Sequence, residues 1–342
     1  MTGMRYSATA PIRICDLGGW TDTWFAGHGA VCSIAVEPGV RATLVLTERA
    51  GTTAQVTLVA QNYGESLPFP SQTHHHPHLH AALQTYPIPP QWDAVLTVYS
   101  EIPPGASTGT SAALCVAVIG VLRAARAEST DPATIARLAH ALEAVTLGWQ
   151  SGVQDQCGAA YGGCSWIEMP VYPQTTVRPI AIDAATESAL ATRLLLFYIG
   201  TPHLSHDIHR QVIERFERVP AAAELLVPLR RAAAAGRDAL AAGDLVAYGQ
   251  ALQANTAAQR ALHPALVSPA TEAVIAAALA HGALGCKVNG AGGDGGSVAI
   301  LAGADPTTHT ALRAAVAAAV PHGRFVAVRY AKHGFVVETT TE

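Results

Sequence analysis

"EIPPGASTGTSAALCVAVIG", residues 101–120, is the stretch on which the fold turns. The run before it, Ala94-Val95-Leu96-Thr97-Val98-Tyr99, has the β-branched character of a strand. Pro103-Pro104 stops that strand, residues 105–111 are mostly small and hydroxylated, and an apolar run without turn residues continues to about Arg126. A strand, a glycine- and hydroxyl-rich loop and then a helix can together hold an anion. The helix N-terminus offers unpaired N–H groups and the positive end of a dipole. Gly105 and Gly109 let the backbone approach closely, Thr110-Ser111 begin the helix, and the hydroxyls of Ser107, Thr108, Thr110 and Ser111 can bond anion oxygens or a divalent cation. No Lys follows Gly109, so the loop is not of the GxxxxGK[ST] type. Taken alone, the stretch equally fits an ordinary capped helix after a proline turn.

Outward from this loop, the first hundred residues read as β-rich, with strands at 30–36, 42–47, 54–60 and 94–99. Asp131-Pro132 is a capping signal for a helix to about Val145. Strand patterns return at 165–168, 176–182 and 193–199. An alanine-rich helical stretch fills about 207–281, with a cap at Ser268-Pro269 and a stop at Gly282. Strands at 286–288, 296–301, 325–330 and 334–338 end the chain. Strands and helices mix within both halves, which predicts an α+β protein, divided near residue 185 into 1–185 and 186–342. The 342 residues are half hydrophobic, 13% charged and carry a net charge of −4, a composition that points to a globular chain with no nucleic-acid or membrane partner. Six scattered cysteines without a CxxC pair read as reduced, buried thiols, and the N-terminus has no signal-peptide pattern, so a cytoplasmic location is expected. "THHHPHLH", 73–80, reads as a solvated loop rather than a metal site, because Pro77 interrupts it and no partner cysteine frames it.

Two further stretches belong with the loop. "KVNGAGGDGGSVAIL", 287–301, contains Gly290, Gly292, Gly293 and Gly295. A dinucleotide fingerprint needs a helix after it, whereas Ser297–Leu301 reads as a strand. It is therefore a glycine turn between strands. "RICDLGGWTD", 13–22, sets one Arg and two Asp around Gly18-Gly19.

These three stretches, in their order along the chain (13–22, 103–113 and 287–301), resemble the three motifs of the GHMP kinase superfamily (galactokinase, homoserine, mevalonate and phosphomevalonate kinases). "PPGASTGTSAA" is similar to P-x-x-x-G-L-G-S-S-A-A, with Ser107 and Thr108 in place of Gly and Leu. "GAGGDGG" is similar to the third, glycine-rich motif, with Asp294 intruding. "RICDLGGWTD" and "GVQDQCGAAYGG", 152–163, resemble segments of the fucose kinase and heptose-7-phosphate kinase subgroup. The resemblance implies a ribosomal-protein-like N-terminal α+β domain with a left-handed βαβ crossover and a ferredoxin-like C-terminal domain, with ATP and substrate between them. Pro104, Gly105, Ser107, Thr108, Gly109, Thr110, Ser111, Gly290, Gly292 and Gly293 would bind ATP. Ser111 and Glu143 would bind Mg²⁺, although Glu143 also fits a solvated helix face. Asp155 would take or orient the proton of the attacking hydroxyl, with Arg13 beside it to keep it ionised. Asp155 in another setting would be a helix cap, and Arg13 a strand-end surface residue. Gly19, Trp20 and Asp22 would form the substrate pocket, Asp22 on a vicinal diol and Trp20 either on a sugar face or in the core. Asp294 is expected to point away from phosphate or to act through a cation, and Ser205 or His206 fits either substrate approach or a helix cap.

The implied activity is ATP-dependent phosphoryl transfer to a hydroxyl of a sugar or sugar phosphate, the anomeric hydroxyl being one candidate. Two alternatives stay open: a mevalonate- or homoserine-type kinase, and a non-catalytic sugar or nucleotide sensor with the same fold.

Overall fold

The computed structural model describes residues 3–49, 54–70, 75–200 and 206–341. Strands β1 (Gly3–Leu17) and β2 (Gly29–Glu48) are long antiparallel partners that organise the larger sheet. The sequence suggests two strands where β2 is one. Ala10 pairs with Val40 and Ile12 with Val36, so Pro38, which has no N–H to offer a ladder, sits in a bulge without ending the strand. β3 (Val56–Ala60) and β4 (Glu65–Phe69) form a hairpin. Helix α1 (Pro77–Thr85) then leads to β5 (Trp92–Ser100), which lies parallel to β3 and antiparallel to β2. The expected loop at 73–80 is thus corrected in part. Pro77 takes the first position of α1, where its missing N–H costs nothing, and Leu79 is buried; Thr73 and His74 lie outside the described residues.

Helix α2 (Thr110–Ala124) begins where the sequence places it and lies against β1 and β2. Asp131 caps α3 (Pro132–Ala141) by accepting the Thr134 N–H at 2.9 Å. The expected α-helix to Val145 stops at Ala141, and residues 142–146 form a π-helical turn. α4 (Gln154–Tyr161), β6 (Cys164–Val171) and β7 (Gln174–Pro179) follow, with β6 pairing the first half of β2. All six cysteines are buried and free.

The second sheet has the order β11-β8-β10-β9, all antiparallel. The elements after β7 that carry its strands are, in order, α5 (Ala184–Arg193), β8 (Leu194–Tyr198), α6 (His206–Arg218), α7 (Val227–Ala241), α8 (Leu245–Leu262), α9 (Pro269–Ala280), β9 (Gly285–Val288), β10 (Ser297–Leu301), α10 (Thr307–Ala319) and β11 (Arg324–Val326). β8 and β10 are apolar at nearly every position because both faces are covered. Leu194, Leu196 and Tyr198 join one core, whereas Leu195 and Phe197 join another with Val274, Leu312 and Val316. The expected strand 325–330 divides. β11 pairs with β8, while β12 (Arg329–Tyr330) pairs with β2, and β13 (Val336–Thr341) runs antiparallel to β1. A cut at residue 185 assigns residues 329–341 to the second half, whereas their ladder bonds run to the first sheet.

Candidate active site

The site begins with a buried ion pair. Arg13 on β1 is 3% exposed, and its Nε donates to Asp155 Oδ1 at 2.8 Å. One terminal nitrogen donates to the Ser107 carbonyl at 2.7 Å, and the Arg13 backbone N–H donates to the Thr108 carbonyl at 3.1 Å. The glycine- and hydroxyl-rich loop therefore grips the arginine through its own carbonyls. Arg13 is not a surface residue, and Asp155 is not a helix cap: it lies in the first turn of α4, whose capping position is Val153. Glycine permits the approach on both sides. A Cβ on Gly109 would lie 3.1 Å from the Asp155 carboxyl, and one on Gly158 would lie 3.2 Å from Arg13 Cβ. Burial pushes Asp155 above the usual carboxylate range, against the pull of Arg13. Burial opposes the Arg13 charge as well, but Asp155 and Asp16 outweigh it and hold the guanidinium protonated.

A second set of carboxylates surrounds this pair. The extra residue that β1 holds between Ile14 and Leu17, with Cys15 at φ 55°, sets Asp16 into the interior. Asp16 is fully buried. It accepts the Gly290 N–H at 3.1–3.2 Å and lies 3.4 Å from Lys287 Nζ and 3.8 Å from Arg13. Gly19 makes room for it, since a Cβ there would meet its carboxyl at 3.0 Å. Asp22 Oδ2 accepts the Gln154 N–H at 3.0 Å, and Gly152 leaves it space. Burial pushes Asp22 up to about 6, opposed by that N–H and aided by Asp155. Nothing local in the sequence marks Asp16, Lys287 or Gln154 as site residues, although all three lie within the motif stretches 13–22, 287–301 and 152–163. An isolated Asp or Lys carries no signal of burial until the topology brings 13–22, 152–158 and 287–290 together.

The third glycine stretch braces the loop. Ser297 Oγ donates to the Ala106 carbonyl at 2.6 Å, and Gly290 sits against Ser107 and Arg13. Ser107 Oγ is buried without a hydrogen-bond partner among the described residues. Gly292 and Gly293 turn instead toward Leu266, whose carbonyl accepts the Gly293 N–H at 3.0 Å. Asp294 is exposed. Ser205 and the side chain of His206 lie outside the described residues.

Two cavities meet here. One, of about 250 Å³, is lined by Arg13, Asp22, Glu143 and Asp155, with Trp20 and Gly290 at its wall. Trp20 does both things left open for it: it lines the cavity and packs with Leu226, Leu229 and Leu266. The other, of about 400 Å³, is lined by Tyr63, Leu79, Val98, Ile102 and the turn at Pro104-Gly105. Ser111 and Trp149 line both. The N-terminus of α2 opens at this junction. Its capping residue, Gly109, is left-handed and offers no side chain to the first-turn N–H groups, which suits an anion. Glu143 is 4% exposed, which corrects the solvated-face alternative. The π turn sets it inward, where it accepts from Gln156 Nε2 and from Ser151 Oγ at 3.4 Å. No Lys or Arg pairs with it among the described residues, so a carboxylate beside an anion-binding helix end fits a divalent cation.

The comparisons agree with this architecture. The model of the family described as GHMP kinases N terminal domain matches residues 79–163, and that of GHMP kinases C terminal matches residues 237–322. The chain belongs to the GHMP kinase family. It is 27% identical over 205 residues to the D-glycero-alpha-D-manno-heptose 7-phosphate kinase of Campylobacter jejuni, covering 58% of this chain and 59% of that one. It is 30% identical over 149 residues to the bifunctional fucokinase/GDP-fucose pyrophosphorylase of Arabidopsis thaliana, covering 42% of this chain and 14% of that one. In fold it is similar to a D-glycero-D-manno-heptose 1-phosphate kinase from Bacteroides thetaiotaomicron (TM-score 0.74, 18% identity, 98% of each chain). It is also similar to the galactokinase of Lactococcus lactis in complex with galactose (TM-score 0.75, 18% identity, 97% of this chain and 95% of that one). No helix among the described residues is long and apolar enough to cross a membrane.

Proposed function

We propose that this chain is an ATP-dependent kinase that transfers the γ-phosphoryl group to a hydroxyl of a small sugar or sugar phosphate, of the fucose or heptose-7-phosphate kind. The observation that carries the reading is Asp155, ion-paired to Arg13 beside the uncapped N-terminus of α2, in the wall of the smaller of two cavities that share Ser111. The apolar cavity suits a nucleobase and the carboxylate-lined one a polyol. The heptose kinase and fucokinase relatives support the sugar side of the family.

Phosphoryl transfer asks mainly for positioning and charge stabilisation. Asp22 accepts from sugar hydroxyls, and Trp20 gives the ring an apolar wall. Asp155 orients the attacking hydroxyl and receives its proton. Arg13 keeps Asp155 ionised and offsets charge on the transferring group. The first-turn N–H groups of α2 and the loop hydroxyls of Ser107, Thr108 and Thr110 hold phosphate oxygens. Mg²⁺ held by Ser111 and Glu143 would neutralise phosphate charge.

A coupled ADP-release assay with Mg²⁺-ATP tests this against aldoses, sugar phosphates, mevalonate and homoserine. Turnover with one sugar, lowered at least about 100-fold in Asp155→Asn and also reduced in Ser111→Ala, is the expected result. Turnover confined to mevalonate or homoserine would move the chain to that branch of the family. ATP binding without turnover on any acceptor would speak for a sensor.

A further inference from the structure

We propose that His78, Cys115 and Glu143 form a binding site for Zn²⁺ or a similar borderline-soft divalent cation at the junction of the two cavities. His78 Nε2 lies 3.2 Å from Glu143 Oε1, and one ligand atom from each of the three residues falls within 4.8 Å of the other two. A tetrahedral zinc, at about 2.0–2.3 Å from its ligands, holds them roughly 3.3–3.8 Å apart. The His–Glu edge, at 3.2 Å, is just short of this range, and the thiol lies within 4.8 Å of both.

The three donors stand on separate packed elements: the first turn of α1, the second turn of α2 and the π turn after α3. Their orientation is supported from outside. Trp149 meets the His78 ring edge-on with centroids 4.6 Å apart. Gln156 and Ser151 hold Glu143 Oε2, which leaves Oε1 facing His78. Outer-shell partners of this sort fix ligand orientation in metal sites. Cys115 is 1% exposed, and the His78 side chain is 13% exposed. His78 lines the larger cavity and Glu143 the smaller, which gives an entry path and leaves a fourth position open to water or an oxygen ligand. The donor types decide the cation. Mg²⁺ takes oxygen ligands in octahedral geometry, whereas imidazole with thiolate favours Zn²⁺ and Co²⁺. The sequence hides the site, because Cys115 and Glu143 stand 37 and 65 residues beyond His78.

The site shares Glu143 with the Mg²⁺ position proposed above, so the two cations would compete for that carboxylate, and the test needs no substrate. The metal-stripped full chain is loaded with Zn²⁺, dialysed against a large excess of Mg²⁺ and assayed for retained zinc. The Co²⁺ form is examined for a sulfur-to-cobalt charge-transfer band. About one zinc per chain should remain. The band should vanish in Cys115→Ser. Zinc affinity should fall more than about 100-fold in His78→Gln, beyond the 10–100-fold that loss of an outer-shell partner costs. Circular dichroism and melting establish that each variant folds, and His78→Gln keeps the test decisive should Cys115→Ser not fold. Zinc that washes out under Mg²⁺, a charge-transfer band that survives in folded Cys115→Ser, or wild-type affinity in folded His78→Gln would overturn the proposal. A failed kinase reading appears separately, as absent turnover.

Discussion

Asp22 buries a carboxyl group that accepts one N–H, from Gln154, and burial raises its pKa to about 6. The native state then binds more protons than the unfolded chain between about pH 4 and pH 6, so stability falls as pH rises through that window. The contribution is on the order of 3 kcal/mol, since each pH unit of that window is worth about 1.4 kcal/mol. Denaturant unfolding measured from pH 4 to pH 7 should show this decline, and Asp22→Asn should flatten most of it. Arg13 predicts an opposite kind of loss. Arg13→Met leaves Asp155 and Asp16 without their common cation. Removing one partner of a buried pair costs about 3–5 kcal/mol, which urea unfolding at neutral pH would register. Turnover in the same variant should drop by about 10²–10³, the usual cost of one charge-stabilising donor. At this scale the sequence named Arg13, Asp22 and Asp155 through a motif resemblance. It passed over Asp16 and Lys287, whose importance comes from burial that a local pattern does not carry.

At the scale of elements, α2 and its loop serve two purposes at once. The N–H groups of the first turn point to the cavity junction, while the carbonyls of Ser107 and Thr108 face backward and hold Arg13. Gly109 joins these roles, with φ 72° and no Cβ against Asp155. Gly109→Ala should therefore lower turnover by at least about tenfold while costing about 1–2 kcal/mol from the left-handed backbone, as a kinetic assay and a melting curve on the same sample would separate. The strand–loop–helix order was legible because each part has a local cause: β-branched residues, paired prolines, glycines and an unbroken apolar run. The π turn at 142–146 was not, since Leu142-Glu143-Ala144-Val145-Thr146 has ordinary helical composition, and the partners that meet the inward Glu143, His78 of α1 and Gln156 of α4, are distant in sequence.

Across the whole molecule, the end of the chain completes the sheet in which it begins. β13 pairs with β1 from Met4↔Thr341 to Thr9↔Val336, and Phe335 packs on Gly120 of α2, where a Cβ would lie 2.2 Å from its ring. A chain ending at Val326 would expose the β1 edge and uncover α2, so it should aggregate or show early proteolysis within 3–17, as size-exclusion chromatography and limited trypsin digestion would reveal. Neighbours along the chain were enough to set the α+β class, the start of α2, the caps at Asp131 and Ser268, and the strand–glycine turn–strand around 290. Other features needed the assembled fold: β2 running unbroken through Pro38, the division of 325–330 between two sheets, and the arrival of Asp16, Lys287, His78 and Cys115 at the site. Each of these depends on which distant segment supplies the hydrogen bond, the countercharge or the burial, and local composition holds no record of that partner.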